Sequence, residues 1–138
     1  MSRPQWAAGI DLGGTKIQIL QINSFGTVGE KVRRPTDISS GYAGIEKEII
    51  EGIKELTKKI GSPPSAVGIG VAGQIDAHTG NVKFAPNLKW TNVPLQHDLK
   101  KALGVPVTIL NDVRAATWGE WLYGAGKGTR DLICIFVG

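Results

Sequence analysis

Trp6-Ala7-Ala8-Gly9-Ile10-Asp11-Leu12-Gly13-Gly14-Thr15-Lys16-Ile17-Gln18-Ile19-Leu20-Gln21-Ile22 decides the fold. Trp6 to Ile10 is short and apolar and reads as a strand. Lys16 to Ile22 alternates, with Ile17, Ile19 and Gln21 on one face and Gln18, Leu20 and Ile22 on the other. Apolar residues on both faces predict a central strand covered on two sides. Gly13-Gly14 joins the two runs, and glycine's access to positive φ suits a tight hairpin. Asn23-Ser24-Phe25-Gly26 is a second turn and Thr27 to Pro35 a third strand. The chain therefore opens as an antiparallel meander.

After the meander the period changes. Ile45, Ile49, Ile53, Leu56 and Ile60 recur at spacings of three and four, the apolar stripe of an amphipathic helix over Tyr42 to Ile60. Glu51 with Lys54, and Glu55 with Lys59, place opposite charges within reach on its wet side. Gly61 and Pro63-Pro64 stop it. Ala66 to Ala72 is a buried strand, Asp76 to Gly80 a turn, and Asn81 to Phe84 a short returning strand. Pro94 to Leu103 is a second helix, with proline at its first turn and Gly104 past its end. Val105 to Leu110 is the next strand, Val113 to Tyr123 a third helix, and Thr129 to Val137 a last apolar strand. The order βββ-α-β-α-β-α predicts an α/β fold, a five-stranded mixed sheet with helices against it. Gly124-Ala125-Gly126-Lys127-Gly128 reads as a hinge or subdomain boundary.

Composition narrows the function classes. At 138 residues the length fits one domain with a core that needs no staples. The net charge is +4, but Arg33-Arg34, Lys58-Lys59 and Lys100-Lys101 are isolated pairs without interleaved aromatics. They read as solvated faces, so no nucleic-acid partner is expected. Cys134, the single cysteine, sits in an apolar run and reads as a buried small hydrophobe. No apolar stretch approaches the length of a membrane span and no signal peptide opens the chain, so a cytoplasmic protein without membrane contact is expected.

Two short motifs carry chemistry. Asp11-Leu12-Gly13-Gly14-Thr15-Lys16 suits a phosphate site. Paired glycines let N–H groups approach an anion, Thr15 adds a hydroxyl, Lys16 adds charge, and Asp11 can hold Mg²⁺ directly or through water. A plain hairpin turn accounts for the same residues. Asn111-Asp112 closes a strand at the end where α/β sheets place ligand groups. The same pair is a good helix N-cap, and one residue can serve both ends. Gly73-Gln74 and Asn87 lie in polar loops beside strand ends, and Trp90 reads either as an exposed platform for sugar or as a core residue. His78 and His97 have no ligand partners at metal spacing, so no metal site is expected beyond a substrate Mg²⁺.

Two glycine patterns are rejected. Gly68-Ile69-Gly70-Val71-Ala72-Gly73 has dinucleotide-binding spacing but lies within a strand and opens no helix. Gly124-Ala125-Gly126-Lys127-Gly128-Thr129 follows a helix, and Gly128 stands where a phosphate loop requires Ser or Thr.

The ordered set GIDLGGTK, GVAGQID followed by TGNV, APNLKW, NVPL, LNDVRAA and GEWLYGAGKG resembles the N-terminal half of the ROK family of sugar kinases and repressors, most similar to its bacterial glucokinases. The resemblance covers nearly the whole chain. It implies the N-terminal domain of an actin-like ATPase (ribonuclease H-like) fold, with residues 1–128 in that domain and 129–138 as the first strand of a truncated second one. It implies an ATP-dependent hexose kinase acting on glucose at the 6-hydroxyl, with ATP, Mg²⁺ and a hexose as ligands. Asp112 matches the catalytic aspartate. Asp11, Gly13, Gly14, Thr15 and Lys16 match the first phosphate motif, and Gly73, Gln74, Asn87 and Asn111 match positions lining the sugar site. The family's second phosphate loop, adenosine-binding segment, cysteine-rich zinc motif and remaining sugar contacts are not among these residues. Structural zinc is therefore expected only outside them, and the chain alone is expected to be inactive. A homo-oligomer is expected. The alternatives are a sugar-sensing repressor or non-catalytic sugar-binding protein, and a structural module of the actin-like superfamily.

Overall fold

A computed structural model describes residues 5–137. Strands β1 (Trp6–Leu12) and β2 (Lys16–Asn23) pair antiparallel, from Trp6 opposite Asn23 to Leu12 opposite Ile17. Alternation sorts their side chains. Trp6, Ala8, Ile10 and Leu12 of β1, with Ile17 and Ile19 of β2, are buried, while Asp11 is exposed on the opposite face. The connecting turn differs from expectation, because neither Gly13 nor Gly14 has positive φ. Four residues separate the last pair, Leu12 and Ile17, and Gly13 donates its N–H to Lys16 O at 3.0 Å. That longer path does not need the left-handed residues of a two-residue hairpin.

β3 (Val28–Pro35) completes the meander on the far side of β2. α1 (Gly41–Ile60) buries the predicted stripe of Ile45, Ile49, Ile53 and Leu56 against the sheet. Gly52 is buried where α1 crosses Ile19 of β2, so a side chain there would overlap the Ile19 side chain. Gly61 ends the helix at φ 84, donating to Thr57 O. The wet-side ion pairs form, Lys54–Glu51 at 3.1 Å and Lys59–Glu55 at 3.6 Å. β4 (Ala66–Val71) then runs parallel to β1, with Asp11 beside Gly70 and Leu12 beside Val71.

A second sheet follows, of which the sequence predicts only the short strand over Asn81 to Phe84. β5 (Gln74–Ile75), β6 (Val82–Ala85) and β7 (Trp90–Val93) lie in that order, antiparallel. β7 is not expected from the sequence: it is four residues long, with Asn92 inside it and Lys89 before it both at positive φ. α2 (Leu95–Leu103) buries Leu95 and Leu99. β8 (Val107–Asn111) joins the main sheet parallel to β4, and α3 (Asp112–Tyr123) follows at once. The main sheet has five strands, ordered β3-β2-β1-β4-β8, and is mixed as predicted.

The expected strand over 129–137 does not form. Residues 131–137 run without secondary structure, and Ile133, Ile135 and Val137 are exposed. An apolar run becomes a strand only when a neighbour supplies ladder hydrogen bonds, and no described strand takes that place. Cys134 is consequently half-buried, not buried. The glycine-rich joint is a hydrogen-bonded turn: Gly124 and Gly126 donate to Glu120 O, and Thr129 donates to Gly126 O. The outer ends of the two expected domains, residues 1–4 and 138, lie outside the described residues. Among the described residues no helix is long and apolar enough to cross a membrane.

Candidate active site

The parallel strands β1, β4 and β8 end level with one another. Leu12 pairs with Val71, and Val71 with Asn111. The chemistry-bearing residues follow from that common edge. Asp11 lies on the face covered by α3. Its neighbour in register is Gly70, where an added Cβ would stand 3.4 Å from Asp112 Cα. A Cβ there would make only ordinary contact, and the start of α3 therefore lies directly against this end of β4. The result is a cleft of about 350 Å³ in which Asp11, Gly70 and Asp112 share the wall with Ala115, Ala116 and Phe136.

Asn111 is the N-cap of α3. Its Oδ1 accepts from the N–H groups of Val113 (3.1 Å) and Arg114 (3.2 Å). Its Nδ2 donates to Gly73 O at 3.0 Å, which ties β8 to the loop after β4. Cap and clasp leave one amide N–H for a ligand. Asp112 is half-buried, and its Oδ1 accepts from Val113 N–H at 2.9 Å, while its Oδ2 has no hydrogen-bond partner among the described residues. A carboxylate held by one oxygen and open at the other is suited to take a proton from a neighbouring hydroxyl.

The hairpin turn is pinned from outside. Thr36, just past β3, donates Oγ1–H to Gly13 O at 2.8 Å and its N–H to Thr15 O at 3.1 Å. Thr15 and Lys16 are exposed. The N–H groups of Gly14 and Thr15 have no hydrogen-bond partner among the described residues. On Gly14, an added Cβ would stand 3.4 Å from both Asn87 Cβ and Asn87 O, so the phosphate-type turn and the Asn87 loop are in contact. Asn87 is exposed within the 3-10 turn Pro86–Leu88.

Gly73 has no room for a side chain, since a Cβ would lie 2.5 Å from Phe84 O. Gln74 follows it, exposed, at the start of β5. The hairpin beyond is fixed by Asp76, whose Oδ1 accepts from His78 N–H (2.9 Å) and Thr79 N–H (3.1 Å). These bonds, with a smaller contribution from Lys83, hold its carboxyl at about 2, below the usual range.

The structure therefore brings expected residues together in three places: Asp11 and Asp112 line one cleft beside Gly70, Gly14 lies against Asn87, and Gly73 is hydrogen-bonded to Asn111. Trp90 is not an exposed platform. It is 2% exposed, which removes it from any stacking role and makes it a core residue. Gly68 and Gly70 lie within β4, which leads to β5 and not to a helix, as their rejection as a nucleotide fingerprint required. Thr36 and Gly70 escaped the sequence reading as site residues. Gly70 left a usable signal, a glycine inside a strand, whereas nothing in the sequence around Thr36 marks its reach back to Gly13.

The sequence pattern of the ROK family matches residues 7–138. The chain is 36% identical over 132 residues to a glucokinase of Streptomyces coelicolor, covering 94% of this chain and 40% of that protein. It is 35% identical over 133 residues to a xylose repressor of Caldicellulosiruptor bescii, covering 94% of this chain and 33% of the repressor. Among solved structures it superposes with TM-score 0.81 and 35% identity on a ROK family glucokinase from Streptomyces griseus in complex with glucose and AMPPNP, covering 89% of this chain and 38% of the other. The chain thus spans about 40% of the length of the glucokinase it matches.

Proposed function

The chain belongs to the ROK family, and from that membership we propose that it is the N-terminal part of an ATP-dependent hexose kinase acting on glucose at its 6-hydroxyl. Its α/β fold, built on the five-stranded mixed sheet, is that of the actin-like ATPases. In this reading residues 1–128 are the first domain and 129–138 lead into a second. The protein works in the cytoplasm as a homo-oligomer.

The observation that carries the reading is the shared cleft of Asp11 and Asp112, with the Gly13–Lys16 turn at the same end of the sheet. Asp112 accepts the proton of the sugar hydroxyl as that oxygen bonds to the γ-phosphorus and the bond to the ADP oxygen breaks. Mg²⁺ with ATP supplies charge neutralisation at the transferred phosphoryl group when bound. The residues fit that pair. Asp11 offers an exposed carboxylate beside the cleft, and the turn offers two unpaired N–H groups, the Thr15 hydroxyl and the Lys16 ammonium. Gly73, Gln74, Asn87 and Asn111 bind and orient the hexose. The glucose and AMPPNP of the Streptomyces griseus relative support both ligand classes.

The test is Asp112→Asn in the full-length protein. Turnover should fall by roughly 10²–10⁴-fold with hexose affinity little changed. A variant with near wild-type turnover would remove Asp112 from the chemistry. The xylose-repressor relative favours a second reading, a sugar-responsive regulator without turnover. Transfer of phosphate from ATP to glucose by the full-length protein separates the two.

A further inference from the structure

The Asn87 loop has to be held in place by something other than its own backbone. The 3-10 turn Pro86–Leu88 has no side-chain cap, and the next residue, Lys89, sits at φ 55, a conformation that a lysine keeps only when its surroundings impose it. Leu88 and Trp90, on either side of Lys89, are 3% and 2% exposed and are the loop's anchors. Trp90 Nε1 is buried with no hydrogen-bond partner, so this ring is placed by packing and not by a polar bond. One packing partner is Tyr42, at the start of α1. The two rings meet edge to face, with centroids 5.3 Å apart and an angle of 77°. Tyr42 is in turn tied to another helix, because its hydroxyl donates to Asp98 Oδ2 of α2 at 2.8 Å. Contacts therefore run from α2 through α1 and Trp90 to the loop that carries Asn87 and touches Gly14.

Resting on the reading of Asn87 as a sugar contact, we propose that Tyr42 and Asp98 are positioning residues for hexose binding: their hydrogen bond fixes the Tyr42 ring, the ring fixes Trp90, and Trp90 fixes the turn that presents Asn87. Neither residue is among those lining the cleft of Asp11 and Asp112. Burial and the Asp98 bond both push the Tyr42 hydroxyl well above its ordinary range, so it remains a donor at any working pH.

Steady-state kinetics of the full-length protein test this, with Asn87→Ala as the reference. Tyr42→Phe keeps the ring and removes the bond. It should raise the KM for glucose roughly three- to tenfold, the scale of one hydrogen bond, and leave kcat and the KM for ATP within about twofold. Asp98→Ala should do the same, and the double variant should be no worse than either single one, since both cut one link. Asp98→Asn, which retains an acceptor oxygen, should restore much of the glucose affinity. A Tyr42→Phe protein with unchanged KM for glucose, beside an Asn87→Ala protein with a raised one, overturns the positioning role and leaves the sugar site standing. Parallel losses for glucose and ATP that track a lowered melting temperature mark a merely structural bond and also overturn it. An Asn87→Ala protein with unaltered glucose affinity sinks the sugar-site reading itself.

Discussion

Gly14 is the position where the proposed ligand role and the needs of the fold can be told apart. Its φ is not positive, and an added Cβ would meet Asn87 at 3.4 Å, ordinary contact distance. Nothing in the described structure forbids alanine there. Gly73 is the opposite case, with a backbone oxygen 2.5 Å from any added Cβ. Gly14→Ala should therefore leave the melting temperature within a degree or two while raising the KM for ATP in the full-length protein, because the methyl group occupies space beside the free N–H groups of the turn. Gly73→Ala should lower the melting temperature, since Phe84 O or the β5–β6 pairing must move. Equal losses for ATP and glucose in Gly14→Ala, following a lowered melting temperature, would return the turn to a purely structural role. Asp76 gives a residue-scale prediction in pH. Its folded value, about 2, lies below the ordinary carboxylate value, so its contribution to stability is complete above the unfolded value and is lost as pH falls through the folded one. Titration followed by NMR should show the Asp76 carboxyl, and the amides of His78 and Thr79 that it accepts from, changing together near pH 2. A midpoint near 4 would mean that these bonds do not persist in solution.

α1 shows how an element transmits sequence into site geometry. Its stripe holds the helix on strands β2 and β3, and Tyr42 at its start packs on Trp90. Ile49 is fully buried in the middle of the stripe. Ile49→Ala should cost about 2–5 kcal/mol of folding stability, read by denaturant unfolding, because the packed surroundings collapse only partly into the space. A loss under about 1 kcal/mol would mean that the α1 contact with the sheet is looser than described. This level was the most legible in the sequence. The 3,4-spacing of Ile45 to Ile60, the alternation in β2 and the glycines after α1 and α2 are local signals that survive tertiary contact. β7 is illegible because left-handed Lys89 precedes it and left-handed Asn92 lies within its four residues, and those conformations are imposed from outside the segment. The site divided along the same line. The placement of Asn111 and Asp112 at a strand tip is readable because the strand and the helix that meet there both leave local signals. The Thr36 clamp and the Tyr42–Asp98 bond span 23 and 56 residues, and no local pattern encodes such a distance. The last apolar run has the composition of a strand but forms none, because the ladder partner that completes a strand is a property of the whole molecule.

At the scale of the whole molecule, most of the exposed large apolar side chains belong to α3 and the residues after it. Trp118, Trp121, Leu122 and Tyr123 of α3 are exposed, as are Ile133, Ile135, Phe136 and Val137 beyond it. Trp118 and Trp121 lie against each other at 5.2 Å, and Trp121 Nε1 donates to Thr129 O at 2.9 Å, which folds the following residues back along the helix. Phe136 reaches the cleft of Asp11 and Asp112. A surface of this kind is costly in water, and contiguous apolar patches on soluble proteins mark contact sites. The segment 131–137 also carries backbone groups with no strand beside them, and an unpaired apolar run recruits another chain. The 138-residue chain should therefore self-associate as concentration rises, read as a growing average mass in light scattering, while a version ending at Gly128 should associate less. The deletion leaves every described strand and helix in place, and it removes with the run the Thr129 carbonyl to which Trp121 Nε1 donates. If the shortened version associates as strongly, the aromatic face of α3 is the adhesive element, and Trp118→Lys or Leu122→Lys should abolish it. If both versions stay monomeric at every concentration, neither surface holds a partner copy and the self-association reading of the apolar run is wrong.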